Sequence, residues 1–283
     1  MRDPRGLLRI IRPLNSMMMG FAVLVGAAIG GGANLIESWR NLILGCVTGF
    51  TLTSSAMAIN DYYDRDIDAV NEPQRPIPSG AIMPGEALAF SLVLTAIGLI
   101  SSWLTSLSCL AVGFFSWAVT VLYVTRGKRT GLPGNLLVST CIAIPFFYGG
   151  LAVEQNISVS PFLFALMAFL SNTGREVTKG VVDVEGDRSR GVRTLAVARS
   201  PRTAAVTAAV FYLSAAAISF IPLYFGLVSI WYVPFVMLTD LGLISSSYSV
   251  MRDQSRENSR RVKNRVLIWM TSGLVGFLVG SFL

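Results

Sequence analysis

The chain has no histidine, only three cysteines and a charged fraction of just 14%, and each scarcity removes a class of function. Without histidine the usual general base is missing, and with it the Ser-His and Cys-His nucleophile systems. Cys46, Cys109 and Cys141 each lie inside an apolar run and form no CxxC pair, so zinc, iron–sulfur and haem centres have almost no ligand supply. They read as core residues. Whatever chemistry the chain performs has to run on carboxylates, an oxygen-bound metal, Lys, Arg and Tyr. No low-complexity linker interrupts the sequence, and residues 1–283 read as one domain.

What is abundant is apolar surface. A soluble domain carries about a quarter charged residues, whereas this chain is 53% hydrophobic with a strongly positive mean hydropathy, which marks a membrane protein. Its formal charge of +7 would suit a nucleic-acid partner if the basic residues were clustered on a soluble surface. They instead fall in short loops, as the positive-inside rule requires, and no nucleic-acid partner is expected. Arg2, Arg5, Arg9 and Arg12 precede the first apolar run in the manner of a signal peptide. That run continues for about 20 residues, the length of a full span, so a retained first helix is expected.

Apolar stretches long enough to span occur near Leu14 to Ala33, Asn41 to Ile59, Ala87 to Thr105, Ser108 to Val124, Leu132 to Val153, Pro161 to Gly174, Thr203 to Ile221, Leu227 to Ser249 and Val266 to Leu283. The expected fold is therefore all-α, a polytopic bundle of nine transmembrane helices, with the short sixth helix completed by residues of the loop that follows. Placing the N-terminus in the cytoplasm puts every Lys and Arg except Arg40 on the cytoplasmic side, and leaves the C-terminus outside. The spacings Gly26 to Gly30, Gly45 to Gly49 and Gly276 to Gly280 are GxxxG patterns suited to close helix approach within one bundle. Pro145, Pro222 and Pro234 should kink or end helices.

Residues Asn60 to Gly80 read NDYYDRDIDAVNEPQRPIPSG, and Asn60, Asp64 and Asp68 stand at four-residue steps, which stacks them along one helix face. Two carboxylates on one face repel unless a cation sits between them, and Mg2+ favours one or two carboxylates together with substrate phosphates. A second stretch, Arg175 to Asp187 (REVTKGVVDVEGD), repeats the step with Lys179, Asp183 and Asp187. A DxxxD pair is common on solvated helices. Here each copy directly follows an apolar run, at the membrane edge, where unliganded acids are costly. The four prolines between Asn71 and Pro84 preclude helix and imply a turn-rich strap, whose Arg75 is placed to meet a phosphate or simply to set topology. The loop from Tyr123 to Asn135 adds Arg126, Lys128 and Arg129 on the same side, a charge pattern suited to a metal-bound diphosphate.

These residues resemble the UbiA superfamily of intramembrane prenyltransferases over nearly the whole chain. The resemblance rests on NDxxDxxxD at Asn60, Asp61, Asp64 and Asp68, the RPIPSG run from Arg75 to Gly80, the DxxxD of Asp183 and Asp187, and the positions of Tyr123, Lys128 and Asn135. Within the superfamily, IRPLNSMMMG with Arg12 and Asn15, and REVTKGVVDVEGD followed by GVRTLA, most resemble the archaeal digeranylgeranylglyceryl phosphate synthase branch. Chlorophyll synthases are similar in the first motif but less so in the second. The resemblance implies helices around a central cavity and cytoplasmic helical caps carrying the two Asp-rich motifs. It also implies Mg2+, as two ions, holding the diphosphate of a prenyl donor, geranylgeranyl diphosphate, with geranylgeranylglyceryl phosphate as the lipid acceptor.

On that footing Asn60, Asp64, Asp68, Asp183 and Asp187 are assigned to metal, and Arg75, Lys128 and Lys179 to diphosphate oxygens. Tyr123 and Asn135 are assigned to donor orientation, and Arg12 to the acceptor phosphate or to topology. Asp240, inside the eighth span and about nine residues or roughly 13 Å from its cytoplasmic end, is expected either to meet the acceptor hydroxyl as a proton acceptor or to bridge two helices. Two other classes are weighed. An ion transporter would place its acids near the midplane on broken helices, and a scaffold would need neither the repeated four-residue step nor the strap.

Overall fold

A computed structural model describes residues 4–31, 35–154, 159–182, 184–189 and 191–282. Every regular element among them is helical: α1 Pro4–Ile10, α2 Pro13–Gly31, α3 Trp39–Asn71, α4 Pro84–Thr105, α5 Leu107–Thr125, α6 Leu132–Glu154, α7 Val159–Val182, α8 Val184–Ser189, α9 Leu195–Ala198, α10 Pro201–Ile218, α11 Ile221–Tyr224, α12 Val233–Arg252 and α13 Arg256–Phe282. Each of the nine expected spans has a long helix. Eight of these, searched over the described residues, are long and apolar enough to cross a membrane. The exception is α7, the sixth expected span, whose apolar run is short and which extends as foreseen through Arg175, Glu176 and Lys179.

The helices form two compact units, Met1–Thr125 with Ile144–Ser158, and Arg126–Ala143 with Val159–Leu283. The division falls inside α6, beside Pro145, a residue with no N–H to give to the helix ladder.

In the first unit α3 dominates. Its 33 residues make it roughly 50 Å long. The apolar part therefore crosses and the NDYYDRDIDA segment continues the same rod. The first Asp-rich motif thus stands on the extension of a span. Glu72 N–H donates to the Asp68 carbonyl at 2.8 Å, and Pro73, which has no N–H, ends the helix there. The strap then turns back through bonds from Ser79 N to Arg75 O (2.9 Å) and Ile82 N to Pro76 O (3.1 Å). Its Ile77 and Ile82 bury with Ile10 at the end of α1, Ile11 just after it, Ala58 of α3, and Ala87 and Leu94 of α4. Deeper in this unit, hydroxyls satisfy one another in place of water. Ser102 Oγ donates to the Cys109 carbonyl at 2.7 Å and lies 3.1 Å from Tyr148 Oη, which donates to Thr48 Oγ1.

In the second unit α10 presents Ala204, Ala205, Ala208, Ala209 and Ala215, all buried, so that α7 and α12 can pack closely on it. Tyr212 lies among them with its hydroxyl 3.0 Å from Thr178 Oγ1 of α7.

Close helix approach is what the glycine spacings deliver. A Cβ on Gly26 of α2 would lie 1.9 Å from the Phe146 carbonyl oxygen of α6, and one on Gly149 of α6 would lie 2.0 Å from the Val23 carbonyl. Gly45 and Gly49 likewise pack α3 on α2, and Gly276 lies against Phe235 of α12. Because the atoms met at Gly26 are backbone and cannot step aside, Gly26→Ala is expected to cost about 1–3 kcal/mol. Gly85→Ala, with nothing within 4 Å of the added carbon, serves as control. Thermal unfolding in detergent should show a lower midpoint for the first variant alone, and equal midpoints would refute the account.

Candidate active site

The first motif folds into two layers. At roughly 100° per residue, Asp68 lies only about 20° around the helix from Asp61, while Asp64 and Asn60 fall progressively further to the same side. Asp61 and Asp68 are accordingly buried, at 2% and 5% exposure, and Asp64 and Asn60 are partly open. In the open layer Asn60 Nδ2 donates to Asp64 Oδ2 at 3.0 Å. In the buried layer two guanidiniums answer the two carboxylates. Arg12 Nη2 lies 2.6 Å from Asp61 Oδ1, and Arg75 Nη1 lies 2.6 Å from Asp68 Oδ2 and 3.5 Å from Asp61 Oδ1.

Both arginines reach the acids because the chain around them is fixed. Arg75 lies between Pro73 and Pro76 on the strap, and its carbonyl accepts from Ser79. Arg12 sits at the corner between α1 and α2 with φ of 45°, the sole positive φ outside glycine among the described residues. Its carbonyl accepts from Asn15 N and Ser16 N, and Arg9 Nη2 donates to the Gln74 carbonyl, tying α1 to the strap. Asp61, which the sequence reading gave no role, is thus the carboxylate that gathers Arg12 and Arg75. Its heptad-like step to Asp64 and Asp68, three and seven residues on, was the available signal.

In the second unit Asp183 lies outside the described residues. Lys179, on the last turn of α7, donates to both carboxylate oxygens of Glu176 at 3.0 and 2.8 Å. Glu176 also accepts from Arg175 at 3.2 Å, and Arg175 Nε donates to the Lys263 carbonyl. Glu176 is a second acid to which sequence reasoning, noting it only as part of the REVTK resemblance, gave no role, although its three-residue step to Lys179 is a standard helical pairing distance. Asp187 stands on α8, partly buried, and its carbonyl accepts from Val192 N at 2.9 Å. The next residue, Arg193, donates its N–H to the Arg129 carbonyl at 3.3 Å. The basic loop with Lys128 is therefore docked on the turn that follows Asp187.

Tyr123, near the end of α5 in the first unit, and Asn135, in the first turn of α6 in the second, are both half-buried. Asn135 offers its carbonyl to Ser139, which in turn accepts from Asn172 Nδ2. Asp240 belongs to a different neighbourhood. Its Oδ2 accepts from Ser219 Oγ at 2.7 Å, beyond the end of α10, and Tyr232 donates to the Ser219 carbonyl at 2.8 Å. Because α12 runs on to Arg252, Asp240 lies roughly 18 Å from that end and only about 10 Å from Val233.

The docking of the basic loop depends on Gly131. Its φ is +72°, and a Cβ there would fall 2.3 Å from the Arg193 carbonyl oxygen. Gly131→Ala should therefore expose the loop, losing about 1–3 kcal/mol through backbone strain alone. Gly186→Ala, where the space is open, should not. Hydrogen exchange of residues 126–131 in detergent reads the difference, and equal protection in the two variants would show that the contact is dispensable.

Comparison with known proteins places this geometry. Residues 19–272 match the model of the UbiA prenyltransferase family. Digeranylgeranylglyceryl phosphate synthase of Archaeoglobus fulgidus is 35% identical over 96% of this chain and 94% of its own length. A solved structure concerned with digeranylgeranylglyceryl phosphate synthase in membranes superposes with a TM-score of 0.91 at 26% identity, covering 99% of both chains. A UbiA homologue from Archaeoglobus fulgidus bound to GPP and Mg2+ shares the fold at a TM-score of 0.69 and 15% identity, over 96% of this chain and 99% of that one. The chain belongs to the UbiA prenyltransferase family and is a multi-pass membrane enzyme.

Proposed function

We propose that this enzyme transfers a geranylgeranyl group from geranylgeranyl diphosphate to geranylgeranylglyceryl phosphate, forming the second ether bond of archaeal membrane lipids, with residues 1–283 as one catalytic domain. The observation that carries the reading is the 35% identity, nearly end to end on both sides, to a relative named for that product. The first unit adds a physical argument. It concentrates guanidiniums and oxygen donors at the end of a span, the composition that two phosphate-bearing lipids require.

The donor set fits magnesium. Asn60, Asp64 and Asp68, with Asp183 and Asp187 of the second motif, would hold it as two ions, one for each motif. These ligands are all oxygen, and magnesium typically takes only one or two carboxylates and fills its shell with water and substrate phosphate. When bound, the ion would neutralise the charge that builds on a departing diphosphate.

The chain's own residues supply the rest. Arg75, Lys128 and Lys179 contact diphosphate oxygens. Arg75 and Lys179 come to that task already steered by Asp68 and Glu176. Tyr123 and Asn135 orient the donor, and Arg12 meets the acceptor phosphate. The apolar bundle is the part that would exclude water from the allylic cation. Asp240 is assigned to bridging, since its bond to Ser219 ties α12 to the residue after α10.

The N-terminus and the active-site mouth are assigned to the cytoplasm and the C-terminus to the outside, which requires α7 to be a ninth crossing. A short apolar run is compatible with that role, because Phe164, Ala165, Ala168, Asn172, Thr173, Val177 and Val181 are all buried, so neighbours rather than lipid receive its polar residues.

Purified enzyme given geranylgeranyl diphosphate and a panel of acceptors, including geranylgeranylglyceryl phosphate and chlorophyllide, should prenylate the first alone, with EDTA abolishing turnover. Prenylation of chlorophyllide, seen by mass spectrometry, would overturn the acceptor assignment. Asp64→Ala, Asp68→Ala, Asp183→Ala and Asp187→Ala should each lower turnover by about 10²-fold or more while the protein remains extractable. Near-full activity in two of them at saturating Mg2+ would remove the metal assignment. Asp240→Asn, which keeps the hydrogen bond but cannot take a proton, should turn over like the wild type from pH 6 to 9, and a collapse of turnover would return Asp240 to the reacting set.

A further inference from the structure

Arg12 and Arg75 approach the same atom. Both guanidiniums point at Asp61 Oδ1, from 2.6 and 3.5 Å, although one comes from the corner between α1 and α2 and the other from the strap after α3. The carboxylates beneath them are closed off, with side-chain exposures of 3% for Asp61 and 8% for Asp68, whereas Arg12 and Arg75 are 33% and 30% exposed. The acids thus lie at the floor and the cations at the lip.

A guanidinium has five N–H donors in a fixed fork. On Arg12 only Nη2, and on Arg75 only Nη1, contacts an acid among the described residues. The other nitrogens of both forks remain for a ligand. Two anchored forks side by side match the tetrahedral oxygens of a phosphate, and anchoring removes the rotamer freedom that a free arginine would lose on binding. The backbone corroborates the arrangement. Arg12 is held at a positive φ that costs a non-glycine residue about 1 kcal/mol or more, and strain of that kind gathers at ligand clamps.

We propose that Asp61 is a positioning residue, outside the metal set, that holds Arg12 and Arg75 together as one two-guanidinium seat for a substrate phosphate. This rests on the phosphate-bearing substrates proposed above and deepens that reading. Arg12 and Arg75 were assigned there to separate phosphates, and their common anchor makes them a single subsite. The buried Asp61 acts through them and never touches the ligand.

The test measures binding in EDTA, so that no metal contributes. Purified enzyme in nanodiscs is titrated with geranylgeranylglyceryl phosphate and geranylgeranylglycerol, and separately with geranylgeranyl diphosphate and geranylgeraniol. For the wild type, the phosphate should strengthen binding within at least one pair. Asp61→Asn should lower affinity for that phosphate lipid at least tenfold and leave its alcohol unchanged, and the pair affected identifies whose phosphate occupies the seat. Should Asp61→Asn fail to fold, the double variant Asp61→Asn with Arg12→Gln restores charge balance at the floor without restoring the seat, and should show the same selective loss. Wild-type affinity for both phosphate lipids in either variant, or equal loss for phosphate and alcohol, would overturn the proposal. Selective loss combined with no product from geranylgeranylglyceryl phosphate would instead overturn the proposed acceptor and leave the seat standing.

Discussion

A charge at the edge of an apolar bundle must bring its counter-charge with it, because neither lipid nor the packed interior will solvate it. The pairing of Asp61 and Asp68 with Arg12 and Arg75 is that requirement in its most concentrated form here. It explains the turn at Arg12 and the strap's return over the end of α3. It also accounts for the tie between Arg9 and the Gln74 carbonyl. Without the acids, the arginines would have no reason to converge; without the arginines, two buried carboxylates on one helix face would repel.

The same rule operates with weaker groups throughout both units. Hydroxyls of Thr48, Ser102 and Tyr148 satisfy one another, Thr178 meets Tyr212, and Ser219 meets Asp240. Such bonds need close helices, and close helices need small residues where they cross. Gly26 against Phe146, Gly149 against Val23 and the alanine face of α10 meet that need. Polar satisfaction and small-residue packing are therefore one design, since each hydroxyl reaches only as far as the crossing allows.

The site divides the labour of its acids by depth. Asp64 with Asn60 stands in the open layer, where a cation and a diphosphate can arrive from water. Asp61 stands beneath, where its charge serves to hold arginines, and Asp68 beside it pairs with Arg75. Glu176 performs the same service for Lys179 in the second unit. Basic side chains are thus restrained by neighbouring carboxylates before any ligand comes, and restraint of that kind lowers the entropy lost on binding.

Much of this was legible from the residues alone. The spans follow from hydropathy, because a helix facing lipid has to be apolar for about 20 residues. The strap follows from four prolines that cannot continue α3, and the four-residue steps follow from the helical repeat. The early start of α13 at Arg256 and the run of α12 to Arg252 were not legible, since polar helix beyond the bilayer leaves no hydropathy signal. Nor could spacing say which acid of NDYYDRDID faces inward. Asn60, Asp64 and Asp68 share a face by arithmetic, yet Asp61 is nearer to Asp68 around the helix, and only the folded strap and the corner at Arg12 decide which side is covered. The sequence determines which residues can share a helix face; the tertiary structure alone determines what that face meets, because a counter-charge 49 residues away in the chain is brought within 2.6 Å only by folding.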